Sequence, residues 1–459
     1  MNLFRKKTIK ELIANSEKHS LKKTLGAFDL IMIGIGCTIG TGIFVITGIA
    51  AAKYAGPAIS VSYLLAAFAC IFAALCYAEL ASMVPVSGSA YTYSYAVLGE
   101  FIAWMVGWGL VLEYGVGAST VAAGWSGYVV GILKSGGVIL PDYLTKVPFD
   151  GGIVNLPAII ITSFIGLLLF RGTKESVWLN RVLVVVKLGV IFLFLAIASP
   201  MIKTSNWENF MPFGINGVLL GAATVFYAYI GFDAVATAAE ECKNPQRDLP
   251  IGIIVSLLIC TLLYVLVSLV LTGIVDYTTL DNSEPLAKAL RMNGNNMGSI
   301  LVAVGAVAGI TSVLLILLYG QSRIFFVMSR DGLISKSFSN LHKRFATPYF
   351  SVVMVVLFVC VTSGFLPLEA LSHITSIGTL FAFIVVSLGV LILRVKRPEI
   401  ERGFKCPAVY LAVPLSVMSC SYLAYNLLLQ NGIWFLLWSI VGLIIYFSYG
   451  YHKSALNKK

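Results

Sequence analysis

Gly34-Ile35-Gly36-Cys37-Thr38-Ile39-Gly40-Thr41-Gly42-Ile43 is the stretch whose reading decides the fold. It lies in a charge-free run, 30–52, of 23 residues, and a membrane-crossing helix needs about 20 predominantly apolar ones. Yet four of the ten residues quoted are glycine, each weakening a helix interior by roughly 1 kcal/mol relative to Ala. In hydrocarbon, a backbone group freed from a helix must find its partner in protein, ligand or a wet cavity. The stretch predicts a helix interrupted in mid-membrane. The alternative is close helix packing, since Gly36 and Gly40 make a small-xxx-small pair. Gly34-x-Gly36 has neither the preceding strand nor the spacing of a nucleotide loop.

Composition extends this to the whole chain. Of 459 residues, 58% are hydrophobic and 12% charged, about half the charged share of a soluble domain. A second charge-free run, 407–451, has 45 residues. A water-soluble enzyme, a disordered chain and a disulfide scaffold are excluded. The eight cysteines mostly sit in apolar runs and form no CxxC pair, so they read as small buried apolar residues. The fold class is an all-α polytopic membrane protein with twelve transmembrane helices, at 28–52, 57–83, 100–133, 153–170, 179–199, 215–238, 250–273, 297–328, 349–365, 369–394, 408–429 and 432–452. The last two are divided at Gln430-Asn431-Gly432, a turn-forming cluster. The outer connections 134–152 and 274–296 read as ordered loops with short helices, one of them 286–292 after Pro285.

Twelve spans place both termini on one side, and the basic residues choose it. With the termini inside, inner segments hold 24 of the 32 Lys and Arg and outer segments six. That asymmetry predicts cytoplasmic termini and a cell-membrane location. The net charge of +11 therefore reports topology, with no nucleic-acid partner implied. Seven basic residues precede the first span; that segment reads equally as a surface-lying amphipathic helix or a disordered tail.

A second interrupted helix is expected in span 6, where Phe226-Tyr227-Ala228-Tyr229-Ile230-Gly231-Phe232-Asp233 sets a glycine and a carboxylate in mid-membrane. Paired broken helices at matched positions of two repeats point to a transporter binding site. After the first break, the N–H groups of Thr41, Gly42 and Ile43 and the helix dipole suit a carboxylate. Carbonyls near Thr38, Tyr227 and Ile230 suit an ammonium. Donors and acceptors a few ångströms apart fit an α-amino acid backbone, leaving its side chain to spans 3, 6 and 8.

The segment "GIGCTIGTGIF" after "LGAFDL", together with "FYAYIGFDAVATAAEECKNPQRDLP", resembles the amino acid–polyamine–organocation superfamily, and within it the cationic amino acid transporter family. The resemblance covers nearly the whole chain. It implies a leucine-transporter-like 5+5 inverted repeat with two additional helices. The chain then divides into a cytoplasmic N-terminal segment (1–27), repeat 1 (28–199), repeat 2 (200–395), spans 11–12 (396–452) and a cytoplasmic tail (453–459). It also implies substrate-backbone roles for Thr38, Thr41, Gly42, Ile43, Tyr227 and Ile230, which occupy the matching motif positions. Leu317 in span 8 is a side-chain contact suggested by family position.

Lys187 lies within the otherwise apolar stretch 182–198, and an intramembrane ionisable group is a functional hypothesis by default. Burial penalises its charged form, which makes a switchable proton site. Sodium-coupled relatives of this fold bridge spans 1, 5 and 8 with a sodium ion, so the resemblance implies that Lys187 replaces it, bonding span 1 carbonyls and Thr311 or Ser312. The competing reading is a permanently paired structural lysine. Glu113 in span 3 has three open roles: contact with a basic substrate side chain, proton transfer, or silent pairing. Asp233 is expected to cap the second half-helix, Glu79 to pair locally, and Tyr264 to gate or line the cavity. His373 reads as structural, with no metal ligand set around it.

The expected function is a proton-coupled importer of L-amino acids. Small neutral substrates such as alanine are expected, and Glu113 leaves cationic ones open. An obligatory exchanger on the same fold is the alternative, and an amino acid receptor or channel the reading from another class. No enzyme constellation appears. No cofactor or metal is expected; the partners are the L-amino acid, the proton and membrane lipids, with an accessory membrane protein of unknown identity left open.

Overall fold

The computed structural model describes residues 5–7, 23–86, 89–171, 177–342 and 347–458. The apolar segments form helices. No strand occurs among the described residues, only an isolated backbone bridge between Leu25 and Cys242. Eight helical stretches are long and apolar enough to cross a membrane, and three shorter apolar helices, Ala27–Thr38, Leu156–Arg171 and Tyr349–Phe365, accompany them.

Two of the eight are too long for one crossing. Gly42–Met83 has 42 residues, roughly 60 Å of helix against a hydrocarbon core of about 30 Å. It is divided at Gly56, whose φ of +60° and ψ of −145° no helix allows, and Pro57 starts the following arm. A Cβ on Gly56 would stand 2.4 Å from the Pro212 ring, so glycine is needed there for both conformation and space. Val409–Ile445 is likewise divided at one non-helical residue, Asn431 (φ −132°, ψ 17°). The three-residue turn expected at 430–432 is thus a single-residue kink.

The Glu100–Ser135 helix runs through the middle of the molecule: 83% of its most apolar window is buried, against 6% for Val409–Asn457. The central helix packs against Asn296–Arg330 and Leu368–Lys396. On the periphery, Tyr410, Leu411, Met418, Tyr425 and Leu429 are exposed, an apolar surface that suits lipid rather than water.

Charged clusters tie both ends of the bundle. At the end holding both termini, Glu79 is fully buried and accepts two bonds from Arg394 at 2.8 Å, one from Arg402 at 3.0 Å and one from the Cys406 amide at 2.8 Å. The local pairing expected for Glu79 is present. Nearby, Lys7 meets Asp331 at 2.6 Å. At the opposite end Glu369 binds Lys53 at 2.7 Å and Tyr54 at 2.6 Å. The His373 ring bridges Thr224 (3.3 Å) and Asn431 (2.9 Å), a structural role as expected.

The two long connections, 134–152 and 274–296, contain short helices. Asp142–Thr145 and Pro148–Asp150 occupy the first, Tyr277–Leu280 and Pro285–Met292 the second. Asp276 caps Tyr277–Leu280, and the Thr278 hydroxyl and amide hold its carboxyl below the ordinary range. Most of the basic N-terminal segment, 8–22, lies outside the described residues.

Candidate substrate-binding site

Both glycine-rich segments are broken. The first helix ends at Thr38. Ile39 turns to an extended conformation (φ −77°, ψ 104°) while its amide still reaches the Ile35 carbonyl at 2.9 Å. The chain resumes as a wide turn, Gly42–Ile46. The amides of Thr41, Gly42 and Ile43 open this half-helix, where no preceding helical carbonyl is in reach. The second helix, Gly214–Val225, tightens through Phe226–Tyr229. It then breaks at Ile230 (φ −60°, ψ 129°) and Gly231 (φ +120°) before Phe232–Glu241.

The two breaks lock into each other through a reciprocal pair of close approaches. A Cβ on Gly42 would lie 2.4 Å from Ala228 Cα, and one on Gly231 would lie 2.9 Å from the Cys37 carbonyl carbon. Close packing and helix breaking were alternatives for the first glycine-rich stretch; Gly42 sits at the break and packs on Ala228, and Gly40 faces Val313. Gly34 serves packing alone, against Ser256.

Side chains from neighbouring helices supply the donors that the broken backbone lost. Lys187 Nζ donates to the Gly36 carbonyl at 2.6 Å. The Tyr264 hydroxyl lies 2.9 Å from the Thr38 carbonyl oxygen and 2.8 Å from that of Ala228, so its single proton serves one or the other. Tyr128 donates to the Phe44 carbonyl at 2.7 Å. Tyr264→Phe removes the one donor that the two buried carbonyls share, at about 1–3 kcal/mol. Amino acid affinity should fall roughly tenfold in a thermal-shift titration, and unchanged affinity would count against this role.

A cavity opens where the breaks cross. Its break-side wall is Cys37, Thr38, Gly40, Thr41 and Gly42 from the first break and Tyr227, Ile230, Gly231 and Ala234 from the second. The Thr38 and Thr41 hydroxyls are buried and make no hydrogen bond within the protein. The facing wall is Glu113, Tyr114, Gly117 and Val121 from the central helix, Val313, Ile316 and Leu317 from Asn296–Arg330, and Thr375 from Leu368–Lys396. One end thus presents polar groups and half-helix amides, and the other is mainly apolar with one carboxyl group.

Thr38, Thr41, Gly42, Tyr227, Ile230, Glu113 and Leu317 therefore come together around one cavity, as their grouping by sequence anticipated. Other expectations need correction. Ile43 is fully buried behind the wall, and Tyr264 is buried against the two breaks; neither lines the cavity. Their places follow from helix geometry, since Ile43 faces away from Gly42 and the Tyr264 hydroxyl is spent on carbonyls. Lys187 bonds neither Thr311 nor Ser312. Those hydroxyls satisfy the carbonyls of Val307 (2.7 Å) and Gly309 (2.8 Å) on their own helix. The lysine meets that helix through its aliphatic stem, with Cγ 2.9 Å from where a Gly309 Cβ would stand. No ion pair to Lys187 occurs among the described residues. Asp233 lies beside the amides that start the second half-helix, but neither of its oxygens makes a hydrogen bond of good geometry, so the cap is incomplete.

Sequence reasoning missed Tyr114, Gly117 and Val121, although with Glu113 they fall at i, i+1, i+4 and i+8 on one helix face. Val313 and Ile316 stand in the same relation to Leu317. Cys37 and Gly231 were inside the quoted motifs. Thr375 carried no signal.

Comparison with known proteins agrees with this geometry. A family model described as amino acid permease matches residues 25–448. The chain is 46% identical over 459 residues to the methylthioribose transporter of Bacillus subtilis (strain 168), covering 100% of both chains. It is also 46% identical over 465 residues to the branched-chain amino acid permease BcaP of the same organism, covering 100% of this chain and 99% of that one. Identity to the vacuolar cationic amino acid transporter 4 of Arabidopsis thaliana is 38%, over 87% of this chain and 68% of the relative. The resemblance expected from the two motifs therefore holds. With its broken helices meeting at a buried cavity, the chain belongs to the amino acid permease family of the amino acid–polyamine–organocation superfamily, a multi-pass membrane transporter and not an enzyme.

Proposed function

We propose that this protein imports neutral L-amino acids across the cell membrane by proton symport, with alternating access to the cavity between the two breaks. The observation that carries the proposal is the pair of buried, unpartnered hydroxyls of Thr38 and Thr41 beside the Thr41–Gly42 half-helix start. Such a start favours a carboxylate. In this reading Thr41 and Gly42 hold the carboxylate, and Thr38, Tyr227 and Ile230 the ammonium. Leu317 and its neighbours surround the side chain. Tyr264 supports the breaks from behind, and Lys187 carries the coupling proton.

The eight long stretches become twelve crossings once two are divided at Gly56 and Asn431, Leu156–Arg171 and Tyr349–Phe365 are added, and Ala27–Thr38 is joined across the first break to the arm that ends at Gly56. Ten of these form the 5+5 inverted repeat, supported by the reciprocal Gly42–Ala228 and Gly231–Cys37 approaches. The repeats are 28–199 and 200–395, followed by two added spans in 396–452. The segments 1–27 and 453–459 lie in the cytoplasm, a placement supported by the basic-residue asymmetry.

The apolar far wall favours aliphatic side chains, alanine and the branched-chain amino acids first. The permease named for branched-chain amino acids supports the larger ones. A Cβ on Gly117 would stand 3.4 Å from Thr375 Cγ2 and 3.8 Å from Leu317 Cδ1, filling space without a clash. Gly117→Ala should therefore cut leucine binding roughly tenfold relative to alanine. An equal effect on both would contradict this placement of the side chain.

The equally similar methylthioribose transporter supports a second reading, a thioether sugar as substrate. Methylthioribose has no carboxylate for the half-helix start, so the two readings separate cleanly. A thermal-shift screen of all amino acids and methylthioribose tests them, since a ligand stabilises the state it binds. Stabilisation by neutral amino acids is expected; stabilisation by the sugar alone would overturn the proposal.

A further inference from the structure

Beside the cavity, two carboxyl groups are buried with no basic partner. Glu113 is 3% exposed and Asp233 1%, and neither forms an ion pair among the described residues. Glu113 Oε2 makes no hydrogen bond, and the Asp233 oxygens face the amides of Gly231, Asp233 and Ala234 without a hydrogen bond of good geometry. Each carboxyl lies within the other's electrostatic reach, and Tyr77 lies within reach of both. The Tyr77 and Tyr93 hydroxyls are themselves buried without partners. Their rings stack edge-on, 6.5 Å apart, and Tyr77 packs on Phe232 next to Asp233.

The groups facing the pair come from every helix around it. Ile59–Met83 contributes Tyr77, Ser89–Val97 contributes Tyr93, and the central helix contributes Tyr114. Leu368–Lys396 contributes Thr379, and Ala27–Thr38 contributes Cys37, which lies near Tyr114. The cavity wall from Asn296–Arg330 is apolar. Lys187 is committed to the Gly36 carbonyl. Among the described residues no cation pairs with either acid.

Two like charges in a low-dielectric interior cannot both persist, and even one at mid-membrane costs several kcal/mol. The helix start at Asp233 can stabilise one negative charge, not two. We propose that Glu113 and Asp233 share one proton, making a second proton site separate from Lys187. Because Glu113 lines the cavity, this site opens directly onto the bound substrate. The inference stands on the burial and placement of the pair and does not depend on which solute the cavity takes.

Infrared spectroscopy of the purified full-length protein tests it. At neutral pH in sodium-containing buffer, the wild type should show the C=O band of about one protonated carboxyl per chain, shifted by solvent deuteration. The band should persist in Lys187→Met, vanish in Glu113→Gln and shift in Asp233→Asn. Absence of the band from the wild type would overturn the proposal whether or not the variants fold. So would a band unaltered in both carboxyl variants. A band that appears only when sodium and potassium are replaced by choline would identify a metal cation as the occupant, and would also overturn it.

Discussion

Replacing Gly42 with Ala should remove amino acid binding and transport while leaving the rest of the bundle assembled. The added Cβ would stand 2.4 Å from Ala228 Cα and 2.5 Å from Ala228 Cβ. No flexible side chain is available to give way, so the backbone of one break must move relative to the other. Overpacking of this kind costs about 1–3 kcal/mol, roughly a five- to 150-fold loss of affinity when it falls on the bound state. The amides offered to the carboxylate belong to the same residues that must shift, so binding takes the full effect. Gly189→Ala is the matched control, because nothing lies within 4 Å of a Cβ there. A thermal-shift titration should show ligand stabilisation in the control and none in Gly42→Ala. Normal affinity in Gly42→Ala would remove the interlocked breaks from the account. The sequence alone assigned the same glycine to carboxylate access; the structure gives it a packing role as well.

Lys187→Met should abolish proton-driven uptake and spare substrate binding. The ammonium is fully buried, bonds the Gly36 carbonyl at 2.6 Å, and touches the Asn296–Arg330 helix through its stem against Gly309. It thereby joins the first broken helix to two neighbours. Methionine keeps most of the apolar stem and removes the proton. With no carboxylate holding the lysine among the described residues, loss of its proton breaks only the bond to the Gly36 carbonyl, close to the first break. Gradient-driven accumulation should fall to the level of protein-free vesicles, with the ligand-induced thermal shift retained. Uptake in the variant that still rises as external pH is lowered would make Lys187 a structural lysine.

How much of this was legible beforehand follows from the range of the forces involved. The breaks at 39–41 and 230–231 were legible because glycine's helix cost and the demand for backbone partners in hydrocarbon are local rules. Seven of the nine residues assigned to substrate binding do line the cavity. Contacts between distant helices were not legible. Nothing near Tyr264 says that its hydroxyl will meet the Thr38 and Ala228 carbonyls. Likewise, nothing near Thr375 marks it as a wall residue. Thr311 and Ser312 looked suited to Lys187 by residue type, but each hydroxyl had a carbonyl of its own helix closer at hand, the usual habit of Ser and Thr in helices. Asp233 looked like a cap, and its position at a half-helix start is right. Its proximity to Glu113 emerges only when spans 3 and 6 are packed together.

Proton symport of a neutral amino acid through the cavity at the crossed breaks can be measured as uptake into proteoliposomes reconstituted with the purified protein. Vesicles are loaded at neutral pH without internal amino acid and diluted into more acidic buffer containing labelled L-alanine or L-leucine. A proton carried inward with substrate makes uptake rise as external pH falls. The account predicts transient accumulation above the external concentration, abolished by a protonophore. Uptake that requires internal amino acid and ignores the proton gradient would contradict it and make the protein an exchanger.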